Sequence, residues 1–221
     1  MATDREYDRG GLKKVSVVSA NAALIGGLIG ACRDVIAANA EHLSELDRAI
    51  GDGDHGTNMR RGLEAVYAER NRLVQLPLPK ALEEIGFKLV MNVGGAAGPL
   101  YGTLLIEIGR QLAGANGQIE FTRALERAID AVARRGRASP GDKTLLDVLY
   151  PVHAEVVRRA GLAGICEEAE RAASLTFGMR AMRGRAAFLG DRSIGHVDPG
   201  ARSCALLTAA ICRFLEEQCP A

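Results

Sequence analysis

The stretch Leu46-Asp-Arg-Ala-Ile-Gly-Asp-Gly-Asp-His-Gly-Thr-Asn58 places Asp47, Asp52 and Asp54 within eight positions, with Gly51, Gly53 and Gly56 relaxing the backbone between them. Three carboxylates this close repel one another unless a positive charge sits among them. A hard divalent cation, bound through oxygen with open positions left for phosphate, meets that need. An EF-hand loop does not describe the stretch, because its acidic spacing and its terminal bidentate glutamate are both missing. Helix capping is the better reading of any one aspartate taken alone, but it leaves the cluster of three unexplained. His55, Gly56, Thr57 and Asn58 follow at a predicted helix start, where backbone N–H groups favour an anion, so all four are candidate phosphate contacts. For the histidine by itself, a structural hydrogen bond is an equal reading.

This glycine-broken stretch is one of four that punctuate the chain. The others cover residues 94–98, 136–144 and 190–200. Between them alanine, leucine, arginine and glutamate dominate, aromatics make up 4% and tryptophan is absent, a balance that favours helix over strand. The expected fold is all-α, with helices over roughly 16–40, 56–72, 79–92, 99–113, 121–135, 143–160, 162–187 and 201–218. Leu100, Leu104, Leu105, Ile108 and Leu112 share one helical face, as do Leu145, Leu149, Val152 and Val156. Pro79 and Pro99 stand where a first helical turn accepts proline. No linker or repeat divides the 221 residues, so a single domain of antiparallel helices is expected from about residue 15 to 221, preceded by a flexible or partner-facing extension over 1–14. If helices alternate in direction, the loops after the first, third, fifth and seventh share one rim.

Those loops carry further candidates. Val93-Gly-Gly-Ala-Ala-Gly-Pro-Leu-Tyr-Gly-Thr103 has glycines bracketing a turn into a helix, an arrangement suited to backbone contact with phosphate but also to a plain helix connection. It is neither a Walker sequence nor a dinucleotide fingerprint, since the lysine and the flanking strand are missing. Pro140-Gly-Asp-Lys-Thr-Leu-Leu-Asp147 begins a helix with Asp142 or Thr144 as a cap. In the fourth loop Arg185 could neutralise a transferring phosphoryl group or be a surface ion-pair partner, and Asp198-Pro199-Gly200 could line a nucleoside.

Bulk composition narrows the partners. Lysine and arginine number 28 against 27 aspartates and glutamates, so net charge gives no reason to expect nucleic acid or an anionic membrane. The five cysteines lack Cys-x-x-Cys spacing and read as small buried residues of a reduced cytoplasmic protein. The apolar run over 20–32 is shorter than a bilayer crossing and reads as a buried helix.

Taken in order, four segments resemble the L-type, nucleotide-binding domain of dihydroxyacetone kinases: Asp-x-x-x-x-Gly-Asp-Gly-Asp-His-Gly from Asp47, Gly-Gly-Ala-Ala-Gly-Pro-Leu-Tyr-Gly-Thr from Gly94, Gly-Asp-Lys-Thr from Gly141, and Gly-Arg-Ala-Ala-Phe-Leu-Gly-Asp-Arg-Ser-Ile-Gly-His-Val-Asp-Pro-Gly-Ala from Gly184. The resemblance spans nearly the whole chain. It implies a closed barrel of eight antiparallel helices with the nucleotide at one rim. It further implies two magnesium ions on Asp47, Asp52 and Asp54, bridging the phosphates of ADP or ATP. Phosphate contacts from His55, Gly56, Thr57 and Asn58 and from Gly95, Ala96, Ala97 and Gly98 are implied too. Gly136, Thr144 and Leu145 would line the adenine, and Arg185, Asp198, Pro199 and Gly200 would complete the site. The family commonly carries a serine in the glycine turn where this chain has Ala96 and Ala97, so a hydroxyl contact to phosphate is missing.

In that family a histidine on a separate K-type domain holds the hydroxyketone, and no stretch of this chain is left to serve as one. The chain is therefore expected to be inactive alone, with Asp52, Asp54 and Arg185 its catalytic contribution to phosphoryl transfer. The expected partners are a K-type subunit and a multiphosphoryl protein of the phosphoenolpyruvate-dependent phosphotransferase system, with a homodimer as a further option. ADP held as a cofactor and ATP as an exchanging substrate both remain open. A nucleotide-sensing module is the competing reading, and a ligand-free helical scaffold is a third.

Overall fold

A computed structural model describes residues 9–114 and 121–218, with side chains from residue 21 onward. The described residues are helical or irregular, without strands: α1 (Arg9–Ile50), α2 (His55–Ala68), α3 (Arg70–Leu73), α4 (Leu78–Asn92), α5 (Ala97–Gly114), α6 (Phe121–Gly136), α7 (Leu146–Val157), α8 (Leu162–Leu175) and α9 (Pro199–Gln218), with two 3-10 segments, Thr176–Gly178 and Arg185–Ser193. Consecutive helices α4 through α9 pack on one another, α1 packs on α2, and α9 returns to α1. Each contributes one apolar stripe, as an amphipathic bundle helix must. In α6 that stripe is Ala124, Leu125, Ala128, Ile129 and Val132, while arginines and glutamate take the outer face. Each fully buried leucine or isoleucine stabilises the bundle by roughly 1.5–3 kcal/mol.

Several boundaries differ from the sequence expectation, each for a physical reason. The first helix starts at Arg9 and continues to Ile50, beyond the expected end near residue 40, because Ile29, Ile36, Leu43 and Ile50 prolong one buried stripe at seven-residue spacing. Asp47 thereby lies on the last helical turn. Of the expected extension, residues 9–14 belong to this helix and residues 1–8 lie outside the described residues. The apolar run read as too short for a membrane belongs to a longer portion, Asn21–Ile50, that could cross one by length and composition. It is buried on a single stripe rather than all round. Residues 56–72 form two helices, broken at Glu69.

Two helices are shorter than expected. The one predicted from Lys143 begins at Leu146, because Lys143 adopts φ 62, outside helical space. The one predicted to run to residue 187 stops at Leu175. Its apolar continuation, Phe177 and Met182, is exposed, so no core contact holds it helical. Met179 is extended and Gly184 takes φ 67.

Candidate functional site

The end of α1 and the start of α2 bring the three aspartates together. Asp47 reaches from the last turn of α1 across the intervening turn, and its Oδ2 accepts the N–H groups of Asp54 at 2.9 Å and His55 at 3.2 Å. It thus satisfies donors at the N-terminus of α2 that the helix cannot pair itself. Asp54 occupies the N-cap position yet makes no side-chain cap bond, which leaves its carboxylate unspent. Gly53 at φ 78 turns the chain so that Asp52 and Asp54 converge. One carboxylate oxygen from each of Asp47, Asp52 and Asp54 can be chosen so that all three lie within 4.8 Å of one another. An ion pair from Arg185 to Asp52 supplies a single positive charge. Three carboxylates against one guanidinium leave an excess negative charge, and the donors are all hard oxygens. This set fits a magnesium-type ion with positions to spare for phosphate.

The cluster forms one end of a cavity of about 920 Å³ to which all four glycine-rich stretches contribute. From the α2 start come His55 and Asn58, and from the α4–α5 turn come Gly95, Ala96 and Ala97. Gly136, Thr144 and Leu145 line it as well, and Arg185, Asp198, Pro199 and Gly200 complete the wall. Three expected neighbours do not line it. Gly56 is buried, and a Cβ there would overlap the Ala40 carbonyl, so it lets α2 approach α1. The Thr57 N–H donates to Ser44 Oγ at 3.3 Å. Gly98 is buried, and a Cβ there would overlap the Val93 carbonyl at the foot of α5.

Leu100, Val132, Leu145 and Leu146 add apolar wall to the same cavity. The arrangement suits an amphiphilic ligand with an anionic end and a flat apolar end.

Two residues escaped the sequence reading, Lys143 in the wall and Asp147 in the turn beside it. Lys143 is 1% exposed, and its ammonium donates to the carbonyls of Met179 at 3.1 Å, Ser193 at 2.6 Å and His196 at 2.6 Å. It ties the long segment after α8 to the entrance of α7. Burial lowers its pKa, and the nearby Asp198 charge opposes that shift. Asp147 accepts the N–H groups of Gly141 at 2.5 Å and Thr144 at 2.7 Å, closing the turn before α7. Of the two caps proposed for this helix, Thr144 Oγ1 receives the Leu146 N–H at 3.2 Å, whereas Asp142 receives that of Ser139 at 2.8 Å. A lysine between glycine-rich residues looks solvent-exposed in sequence. Its burial follows from three backbone carbonyls that only the folded loop assembles.

Asp198 caps α9 by accepting the Ala201 N–H at 2.7 Å, and Pro199 takes the first helical position, where its missing N–H costs nothing. Burial lifts the Asp198 carboxyl from 3.8 to about 7, against the opposing pull of that N–H and of Lys143. The folded protein therefore keeps a proton through the interval in which the unfolded chain has lost it. This group's contribution to stability is full below about pH 4 and is lost as pH rises to about 7. In metal-free melts of wild type and Asp198→Asn, which keeps the cap acceptor, the stability of wild type relative to the variant is expected to fall across that interval and then level off. A difference independent of pH would contradict the assignment.

Comparison with known proteins gives one family. The DAK2 domain matches residues 49–213. The chain is similar to the PEP-dependent dihydroxyacetone kinase, ADP-binding subunit DhaL, of Escherichia coli, 39% identical over 183 residues that cover 78% of this chain and 87% of that protein. It is 33% identical to the triokinase/FMN cyclase of Bos taurus, covering 80% of this chain but 32% of that larger protein. The crystal structure of the dihydroxyacetone kinase from C. freundii in complex with AMP-PNP and Mg2+ shares 25% identity at a TM-score of 0.71, covering 86% of this chain and 34% of that one. With its four glycine-rich stretches gathered round one carboxylate-ended cavity, and with these matches along most of its length, the chain belongs to the DAK2 domain family.

Proposed function

We propose that this chain is the magnesium- and adenine-nucleotide-binding subunit of a dihydroxyacetone-type kinase, acting in the cytoplasm on a ketotriose or ketotetrose held by a K-type partner subunit. The observation that carries the reading is the convergence of Asp47, Asp52 and Asp54 at the polar end of the cavity. Their oxygens would hold magnesium, as two ions in the full complex, and the bound metal would supply charge neutralisation for the phosphates. The apolar wall takes the base beside Gly136, Thr144 and Leu145, and Asp198, Pro199 and Gly200 flank the sugar. Arg185 stands next to Asp52 and offsets charge that develops on the transferring phosphoryl group. No nucleophile on this chain is needed, because the partner subunit presents the hydroxyl. The helix contacts, with α9 returning to α1, are consistent with a closed barrel of eight antiparallel helices, the site lying at its rim.

We favour ADP as a retained cofactor, recharged by a multiphosphoryl protein of the phosphotransferase system. Support comes from the 31–39% identity to four bacterial subunits whose names give them as PEP- or PTS-dependent and ADP-binding. The unpaired Cys32, Cys166, Cys204 and Cys212 suit a reducing compartment. The test is to purify the protein in magnesium without added nucleotide, release bound small molecules with acid and quantify them against adenine nucleotide standards. Near-stoichiometric ADP is the expected result. An empty site that binds ATP only with magnesium points instead to the exchanging, ATP-dependent form, for which the likeness to the triokinase is the motive. A site that binds neither nucleotide overturns the proposal.

A further inference from the structure

A buried hydroxyl relay stands behind the aspartate cluster, and none of the steps above uses it. His55 Nε2 lies 2.9 Å from Ser203 Oγ. The same Oγ is 2.7 Å from the Tyr101 hydroxyl and 3.0 Å from the Gly200 carbonyl, while the Tyr101 hydroxyl is 3.3 Å from that carbonyl. Ser203 is 0% and Tyr101 6% exposed, so no bulk water is at hand to satisfy these atoms, and their few protons must be arranged among themselves.

Only some arrangements work. A serine hydroxyl has one proton and two lone pairs. If Ser203 donates to the Gly200 carbonyl, it can accept from Tyr101 and from a proton-bearing His55 Nε2, and all three short distances then contain a proton. Suppose instead that Ser203 donates to an unprotonated Nε2. Tyr101 can then donate either to Ser203, leaving two oxygens facing each other at 3.0 Å, or to Gly200, leaving two at 2.7 Å. Each of those options sets lone pair against lone pair in a buried site. Burial keeps the Tyr101 hydroxyl protonated far above the ordinary tyrosine range, so it serves as a donor throughout.

We propose that Ser203 and Tyr101 are positioning residues that keep a proton on His55 Nε2 and so fix the angle of the imidazole at the head of α2. The relay also joins α2, α5 and α9 at a single atom, Ser203 Oγ, so the ring angle depends on all three helices at once. What the ring meets rests on the magnesium-nucleotide reading, but which nitrogen carries the proton does not.

The experiment is nitrogen-15 NMR of the histidine rings in the full chain, free of metal and nucleotide, with His55 assigned by comparison with His55→Asn. Magnesium-dependent ADP affinity is measured on the same samples. Wild type is expected to show a proton on Nε2. Ser203→Ala should mix the two tautomers and weaken ADP binding by roughly ten-fold or more, as loss of an outer-shell partner typically does. Tyr101→Phe removes one oxygen, leaves Ser203 in place and should do the same to a smaller degree. An unprotonated Nε2 in wild type overturns the proposal, and so does an unchanged Nε2 signal and affinity in both variants. Wild type that shows the expected tautomer yet binds no nucleotide overturns the functional reading alone.

Discussion

Asp54→Ala abolishes magnesium-dependent nucleotide binding and leaves the helical fold as stable as before. Asp54 is exposed, and its carboxylate makes no cap bond at the start of α2, so its removal should stay within the roughly 0.5 kcal/mol usual for such surface changes. As one of three oxygen donors to the cation, however, it should cost more than the roughly 10–100-fold lost with an outer-shell partner. Asp52→Ala should behave alike while also releasing Arg185. Asp47→Ala is the instructive contrast, because its Oδ2 pairs two N–H groups at the head of α2. That variant should lose binding and also about 1 kcal/mol of stability with the cap. Titration calorimetry with ADP in magnesium and in chelator, paired with thermal melts, separates the two losses. Wild-type affinity in Asp52→Ala and Asp54→Ala would refute the ligand assignment.

The second large effect is expected at Lys143. Lys143→Met keeps the length of the side chain but strands the carbonyls of Met179, Ser193 and His196, and a hydrogen bond from a charged donor contributes roughly 1.5–3 kcal/mol. These bonds join the stretch from Thr176 to Asp198 to the turn before α7, alongside Ser193, whose Oγ accepts the Ala181 N–H and donates to Gly190. The segment should open locally before the bundle melts. Hydrogen exchange should therefore show lost protection confined to this stretch and to the 139–147 turn, with ADP affinity falling because Arg185 and Asp198 are no longer held in the wall. Wild-type protection and affinity in the variant would show that the buried ammonium is not what secures the loop.

Sequence and structure agree where the signal is local and diverge where it is not. Helix α6 was legible to within a residue, because five apolar side chains recur on one face and no other interaction competes. Loops rich in glycine and aspartate were legible as the candidate site, since hard donors crowded into eight positions suit a cation, and the fold brings them to one cavity. The segment after Leu175 was expected to stay helical to residue 187, but no core-facing stripe holds it there. Phe177 is 55% and Phe188 90% exposed, so they face away from any core. The same limit explains Gly56 and Gly98. A glycine beside a phosphate loop and a glycine under a crossing helix read identically in sequence, and only the position of the Ala40 and Val93 carbonyls tells them apart.

By itself, then, the sequence determined that the chain is helical, that its four glycine-rich stretches are the candidate site, and that Asp47, Asp52 and Asp54 are its metal-binding candidates, because periodicity and crowded charge act over a few residues. The tertiary structure alone decided which of these residues face one cavity. It also turned Lys143 into a buried clasp, lifted the Asp198 carboxyl to about 7, and tied His55 to Ser203 across 148 positions of chain. Desolvation and hydrogen-bond pairing depend on groups that are distant in sequence, and folding is what brings them together.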